Sequence, residues 1–428
     1  MKLACALEDF EFPEDGTLNV VLYGQPGAIE PGRSARASAG QAAKSAFLKA
    51  GYEAAPRAWD FLSVALSIIT ADLAGQRSAS ADNWTREFDL SIAVADPEFW
   101  RTQTDALEAA LKFLTTDRWR LRFEDGGFLP PPPRDPLRPP EDCVALLSGG
   151  LDSLIGAIDL AKEGRKVLAV SNIVRGDGDN QDLFAASIGG GLRHVALNHN
   201  ATPPWEKEPS QRARSLIFIA FGVLAATALK RYHDGGEVPL YVCENGFIAI
   251  NPSLTGGRIG SLSTRTAHPE FLNRIREILF SAALRVRIVN PYEYKTKGEM
   301  LKECRDQALL KNLAAQSVSC GRYRVFNYKH CGRCVPCQVR RAAFLAWGEL
   351  DTTFYKYALL GKNDAEHRNF DDVRSVAMAI AEVGADGLNT WLGAALSYPR
   401  IGDIAPIREL IDRGLKELAA LHRFNNVR

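Results

Sequence analysis

Residues 143–174 run apolar strand, glycine turn, amphipathic helix, apolar strand: CVALLS, GG, LDSLIGAIDLAKEG and then KVLAVSNIV. Both strands are continuous apolar runs, the pattern of strands covered on both faces of a parallel sheet. A helix closed by Gly164 between two such strands makes a βαβ unit, so this part of the chain must belong to an α/β fold. An apolar helix over 211–231 and the strands PLYVCEN and VRIVNP continue the alternation. Beyond Trp347 the chain turns helical, ending in IAPIRELIDRGLKELAALHRF.

Just upstream lies LPPPPRDPLRPPED, Leu129–Asp142, in which seven of fourteen residues are proline. Proline fixes φ and lacks a donor, so the stretch favours an extended, stiff connector. It predicts an N-terminal domain over 1–129, a linker over 130–141, an α/β domain over 142–318, and a cysteine-bearing helical region over 319–428. In the first of these, TLNVVLYG and EFDLSIAVAD read as strands. EFWRTQTDALEAALKFLTTD reads as a helix, and RWRLRFEDGG alternates like an edge strand. The expectation is a small α+β domain without a catalytic motif.

Charge excludes several classes. Lys plus Arg number 52 against 51 Asp plus Glu, which argues against a broad polyanion-binding surface and against direct nucleic-acid binding. The N-terminus MKLACALEDFEFPEDG is acidic, without the apolar run of a secretory signal. The longest uncharged run, Ser215–Leu229, falls short of the roughly 20 residues of a membrane span. A cytoplasmic protein with no membrane association is expected.

The turn Ser148-Gly149-Gly150-Leu151-Asp152-Ser153 carries the first chemistry. Backbone N–H groups at a strand-to-helix junction converge on one small volume with the helix N-terminus, and such a place binds anions. Glycine permits close approach, Ser148 and Ser153 add hydroxyls, and Asp152 is suited to capping the helix or helping to hold Mg²⁺ on bound phosphates. The loop lacks the lysine of G-x-x-x-x-G-K-[ST]. A short loop that grips only the pyrophosphate end of ATP suits attack at the α-phosphate, with pyrophosphate leaving, so adenylation is expected rather than phosphorylation. Ser171 and Asn172 end the next strand, where a nucleotide base commonly lies in open sheets.

The second motif is Cys320, Cys331, Cys334 and Cys337, spaced C-x10-C-x2-C-x2-C. Four thiolates suit a closed, tetrahedral structural Zn²⁺ site. An iron–sulfur cluster is the rival; the remote first cysteine and the lack of a following Cys-Pro favour zinc.

Taken together, LLSGGLDS and HCGRCVPCQVRRAAF resemble the 7-cyano-7-deazaguanine synthase (QueC) family of PP-loop ATP pyrophosphatases. The resemblance spans about residues 142–350. It places Arg340 and Phe344 at the family's arginine and phenylalanine after the last cysteine, Arg214 at its helix-leading arginine, and Lys297 and Glu299 at its Lys-x-Glu element. It implies a PP-loop parallel sheet, the adenine nucleotide α-hydrolase-like fold, with a zinc-stapled helical C-terminal region. It also implies ATP-dependent adenylation of the carboxylate of 7-carboxy-7-deazaguanine or a close relative.

The segment Glu244–Phe271, the N-terminal domain and the helical tail depart from the ordinary synthases. They resemble the QueC-like branch of anti-phage defence systems, the Qat and type IV CBASS systems among them. That branch implies transfer of the acyl group to an amine on a partner protein. The alternatives are an ordinary synthase that uses ammonia for queuosine, and a protein that binds nucleotide or a partner without turnover. Asp152, Arg214 and Lys297 are then the expected catalytic residues. Glu244, Asn245, Arg258, Ser263, Thr264 and Arg265 are the expected deazapurine-binding set, because two arginines suit a carboxylate and dense donors suit a purine edge.

Overall fold

The computed structural model describes residues 1–25, 36–173, 178–252, 254, 265–361, 372–393 and 403–427. Arg258, Ser263 and Thr264 lie outside the described residues. Two five-stranded sheets, each parallel throughout, account for all the strands among them.

The first sheet comes from β1 (Lys2–Ala6), β2 (Leu18–Leu22), β3 (Arg36–Ala39), β4 (Glu87–Ala93) and β5 (Arg118–Glu124), in the order β3-β2-β1-β4-β5. Helices α1 (Gln41–Lys49) and α2 (Pro56–Ala74) separate β3 from β4, and α3 (Pro97–Thr102) with α4 (Thr104–Thr115) leads into β5. The N-terminal part is therefore α/β, not the α+β domain expected from its pattern. RWRLRFE alternates because β5 is an edge strand with one face to solvent; it pairs with β4 in parallel all the same. The expected long helix breaks at Gln103 into α3 and α4.

The second sheet is built by β6 (Cys143–Leu146), β7 (Val167–Asn172), β8 (Arg193–Leu197), β9 (Val238–Tyr241) and β10 (Val286–Val289), in the order β10-β9-β6-β7-β8. Between them run α5 (Leu151–Lys162), α6 (Gly178–Ser187), α7 (Arg214–Ala228), α8 (Lys230–His233), α9 (Gly246–Ile250) and α10 (Pro269–Ser281). The apolar helix expected over 211–231 is thus α7 with the short α8 behind it. After β10 come α11 (Lys297–Glu303), α12 (Gln307–Leu313), α13 (Val335–Trp347), α14 (Asp372–Asp386), α15 (Leu388–Leu392) and α16 (Ile404–Phe424).

One core joins the two sheets. Their inner faces, with α2, α4, α7 and α10 between them, form a single apolar cluster running from Leu3 to Ile288. Because α2 and α7 are enclosed by both sheets, each is buried around almost its whole circumference; that burial is why Ser215–Leu229 reads as a continuous hydrophobic run. No described helix is long and apolar enough to cross a membrane. A second core on the far face of the second sheet packs α5 against α11, α12 and α13. A third joins α9 to α13, α14 and α16. The proline-rich segment is docked rather than free: Leu137 donates its N–H to Gly51, and Pro139 accepts from Lys230.

Candidate functional site

The central strand β6 is where the strand order reverses, and in open parallel sheets the crevice at the carboxyl end of that strand is the usual ligand site. Ser148–Ser153 occupies it. Gly149 has φ of 80°, a left-handed conformation that a side chain would strain. The Ser153 hydroxyl accepts from the Ser148 N–H (3.1 Å), pairs with the Ser148 hydroxyl (3.0 Å) and donates to the Gly150 carbonyl (3.0 Å). The loop is thus closed on itself at the start of α5, whose first-turn N–H groups have no partners within the helix.

Two recesses of about 280 Å³ each flank this loop and share Ser148, Ser153, Cys243 and Glu244 as a common wall. The first opens between the loop and the N-terminal end of α7, with Asn172, Arg212, Arg214 and Phe218 among its lining residues. The second opens toward the cysteine cluster and is bounded by Asp152, Lys297, Ser319 and Cys320.

Asp152 stands at the base of the second recess, buried. Its carboxylate accepts from the Lys297 ammonium and from the Asn245 side-chain amide (2.7 Å) and backbone N–H (3.3 Å). Burial alone would raise this carboxyl, but the Lys297 ammonium and the Asn245 donors outweigh it and hold Asp152 below the ordinary aspartate value. Thr296 and Glu299 form a reciprocal capping box that starts α11 and so presents Lys297 to Asp152.

Glu244, beside this pair, is pushed the other way. Burial and then the Asp152 charge raise its carboxyl from 4.5 to about 8, against the pull of Lys297. A carboxyl raised in this way stabilises the fold fully below pH 4.5 and loses that contribution as pH rises through 8. Glu244→Gln, permanently neutral, is expected to gain a few degrees in Tm over the unaltered protein on going from pH 6 to pH 9. Parallel Tm curves for the two proteins over that range would contradict this environment for Glu244.

Among the other expected site residues, Asn172 and Arg214 line the first recess. Ser171 does not: it is fully buried, donates to the Leu147 carbonyl (2.6 Å) and pairs with His194 (2.8 Å). Asn245 is committed to Asp152 and to capping α9, where it accepts from the Ile248 N–H. Arg265 is turned toward the N-terminal part, donating to the Phe113 carbonyl (3.1 Å) and lying 4.4 Å from that ring's centroid. Arg212 escapes the sequence reading although it lines the first recess. The doublet of arginines in QRARS is its only signal.

The four cysteine sulfurs of the C-terminal cluster lie within 4.8 Å of one another, all buried. The Cys331–Cys337 and Cys320–Cys334 sulfur separations are 3.9 Å, close to the edge of about 3.8 Å that a tetrahedron with 2.3 Å metal–sulfur bonds requires. Backbone N–H groups of Arg322, Cys331, Arg333 and Cys334 point at sulfurs at 3.2–3.4 Å, as suits thiolate acceptors. The donor set and its geometry fit a structural metal ion such as zinc, with no open position left on it. Gly332 is needed here, since its φ is 88° and a Cβ would meet the Tyr357 carbonyl at 2.4 Å.

The two motifs touch. Val318 donates its N–H to the Gly149 carbonyl (2.9 Å), tying the serine–glycine loop to the strand of chain that enters the cysteine cluster. Arg340, fully buried on α13, holds that strand in place through Ser317 (2.8 Å) and Ser319 (3.1 Å) and reaches back to Thr353 (2.9 Å). The cysteine cluster thus shapes the second recess, which Cys320 lines.

No protein-family model matches the chain, and no curated protein matches it in sequence.

Proposed function

We propose that the protein is a PP-loop ligase of the 7-cyano-7-deazaguanine synthase type, which uses ATP to adenylate a deazapurine carboxylate and passes the acyl group to an amine. The observation that carries this reading is the Ser148–Ser153 loop at the reversal point of a parallel sheet, with recesses on both sides and the four-cysteine cluster bonded to it through Val318.

In this reading the loop N–H groups and the α5 N-terminus bind the pyrophosphate end of ATP. Asp152 and Glu244 are the carboxylates that would hold Mg²⁺, which when bound neutralises phosphate charge. The substrate carboxylate is already ionised at neutral pH, so the first step needs no base. Its oxygen bonds to the α-phosphorus, the α–β phosphoanhydride bond breaks, and pyrophosphate departs. Lys297 and Arg214, one from each side of the loop, stabilise the charge that builds on the phosphates. The amine nitrogen then attacks the acyl carbon, AMP leaves, and the amine gives up a proton. That proton passes to water. By resemblance to the defence-associated branch, the amine belongs to a partner protein.

Product analysis tests this. Protein, Mg²⁺ and ATP with 7-carboxy-7-deazaguanine should yield AMP and pyrophosphate, and neither without the deazapurine. An amide or nitrile formed with ammonium would identify the ordinary synthase reaction; no such product would send the search to a protein acceptor. ADP, or no turnover, would overturn the mechanism and favour a nucleotide-binding module.

A further inference from the structure

The two sheets share one strand order: read from the first strand of each, both run 3-2-1-4-5. The helices match as well. In each half one long helix leads from the third strand to the fourth (α2, α7), and another from the fourth toward the fifth (α4, α10). Each packs on its counterpart, α2 against α7 and α4 against α10. Like-on-like contact of this kind is what a two-fold interface between copies produces. The first half has no loop of its own: the chain leaving its central strand β1 reads LEDFEFPEDGT, without a serine–glycine turn or a following helix.

This site-less half grips the wall of the first recess. Asp72, buried near the end of α2, accepts the N–H groups of Arg212 (2.7 Å) and Ala213 (2.8 Å), the residues that lead into α7. The Arg212 guanidinium donates to the Thr115 carbonyl (3.2 Å) and the Thr116 hydroxyl (3.0 Å), and lies 4.2 Å from the Trp84 ring centroid. Glu208 accepts from the Arg77 N–H (3.0 Å), and its own N–H meets the Leu73 carbonyl (2.8 Å). Behind Asp72 stand Arg86 and Asp117, buried and paired. A carboxylate this deep, spent on two backbone donors of the other half, fixes where α7 begins.

We infer that the N-terminal half stands where a second subunit would stand and is a working wall of the site, with Asp72 as its positioning residue for Arg212 and Arg214. The effect on nucleotide affinity rests on the proposed function; the hold on segment 208–214 does not.

Two measurements on the full chain test this: amide hydrogen exchange over 208–219, and MgATP affinity by calorimetry. Asp72→Asn keeps the volume but sets an amide against Arg86 or against the two N–H groups. It is expected to speed exchange at residues 212 and 213 and to weaken MgATP binding by about tenfold, the loss of one charge-assisted hydrogen bond. Thr116→Gly is the variant sure to fold, since Thr116 sits at φ of 62°, where glycine is at ease. It removes the side chain whose hydroxyl meets Arg212 and should weaken MgATP about threefold without lowering Tm. In turnover, both should raise the KM for ATP; Thr116→Gly, acting through Arg212 alone, should leave kcat nearly intact, and Asp72→Asn, which also releases Arg214, should lower it. Unchanged exchange over 208–219, or unchanged MgATP affinity in folded Asp72→Asn, overturns the inference. Failure of the unaltered protein to bind MgATP overturns the nucleotide reading instead, and the exchange result then decides alone whether Asp72 holds the wall.

Discussion

Cys337→Ser is expected to lower the bound zinc from about one ion per chain to near zero and to unfold the region around the cluster. Metal binding to four thiolates in small domains contributes on the order of 10 kcal/mol, because the site exists only in the folded chain. Here the four sulfurs sit in their own small cluster, ringed by Tyr323, Phe326, Tyr355 and Tyr357 rather than by the main cores. The loss should therefore be local first. Limited proteolysis should cut between 320 and 360 while the two sheets stay resistant, and elemental analysis should report the missing zinc. Since Val318 bonds to Gly149, the same variant should also weaken ligand binding at the loop. Retention of a full zinc equivalent by Cys337→Ser would refute the four-sulfur centre.

The second large effect is expected at Asp152 and Lys297. Each side chain is 8% exposed and each is the other's main counter-charge. Removing one member of such a pair leaves a buried, unpaired charge at a cost of about 3–5 kcal/mol, whereas removing both leaves none. Lys297→Met should thus lower Tm by several degrees, and Asp152→Asn/Lys297→Met should recover much of that loss. Pyrophosphate release should fall at least about a hundredfold in both, because stability can be restored without restoring the charges that face the phosphates. A double variant no more stable than Lys297→Met would mean that the pair is not the coupled unit described.

How much of this is legible in the sequence depends on whether the signal is local. The β6–loop–α5 unit can be read because apolar run, glycine and helix follow one another directly, and the structure keeps that order at 143–162. The cysteine cluster is legible for the same reason, its ligands being close in sequence and of one rare type. The first sheet is not legible as a parallel one. Its strands β1 and β2 are joined without a helix, so the βαβ signal of a parallel sheet is missing where the chain begins. Ser171 and Asn245 stand at the expected places in the chain, but the structure pairs their side chains with Leu147 and Asp152, and periodicity cannot tell a hydroxyl aimed at a ligand from one spent on a neighbouring carbonyl.

The sequence by itself determined a central α/β unit with a serine–glycine turn and a cluster of four cysteines, because each is specified by residues within a few positions of one another. Only the tertiary structure decided that the N-terminal part repeats the parallel strand order. It alone brought Asp72 to Arg212 across 140 residues, Lys297 to Asp152 across 145 and Val318 to Gly149. The first contact forms because α2 and α7 must bury their apolar surfaces against each other between two sheets, and a polar group carried into that layer needs a partner from the other side; the other two form where α5, α11 and α13 pack on the far face of the second sheet.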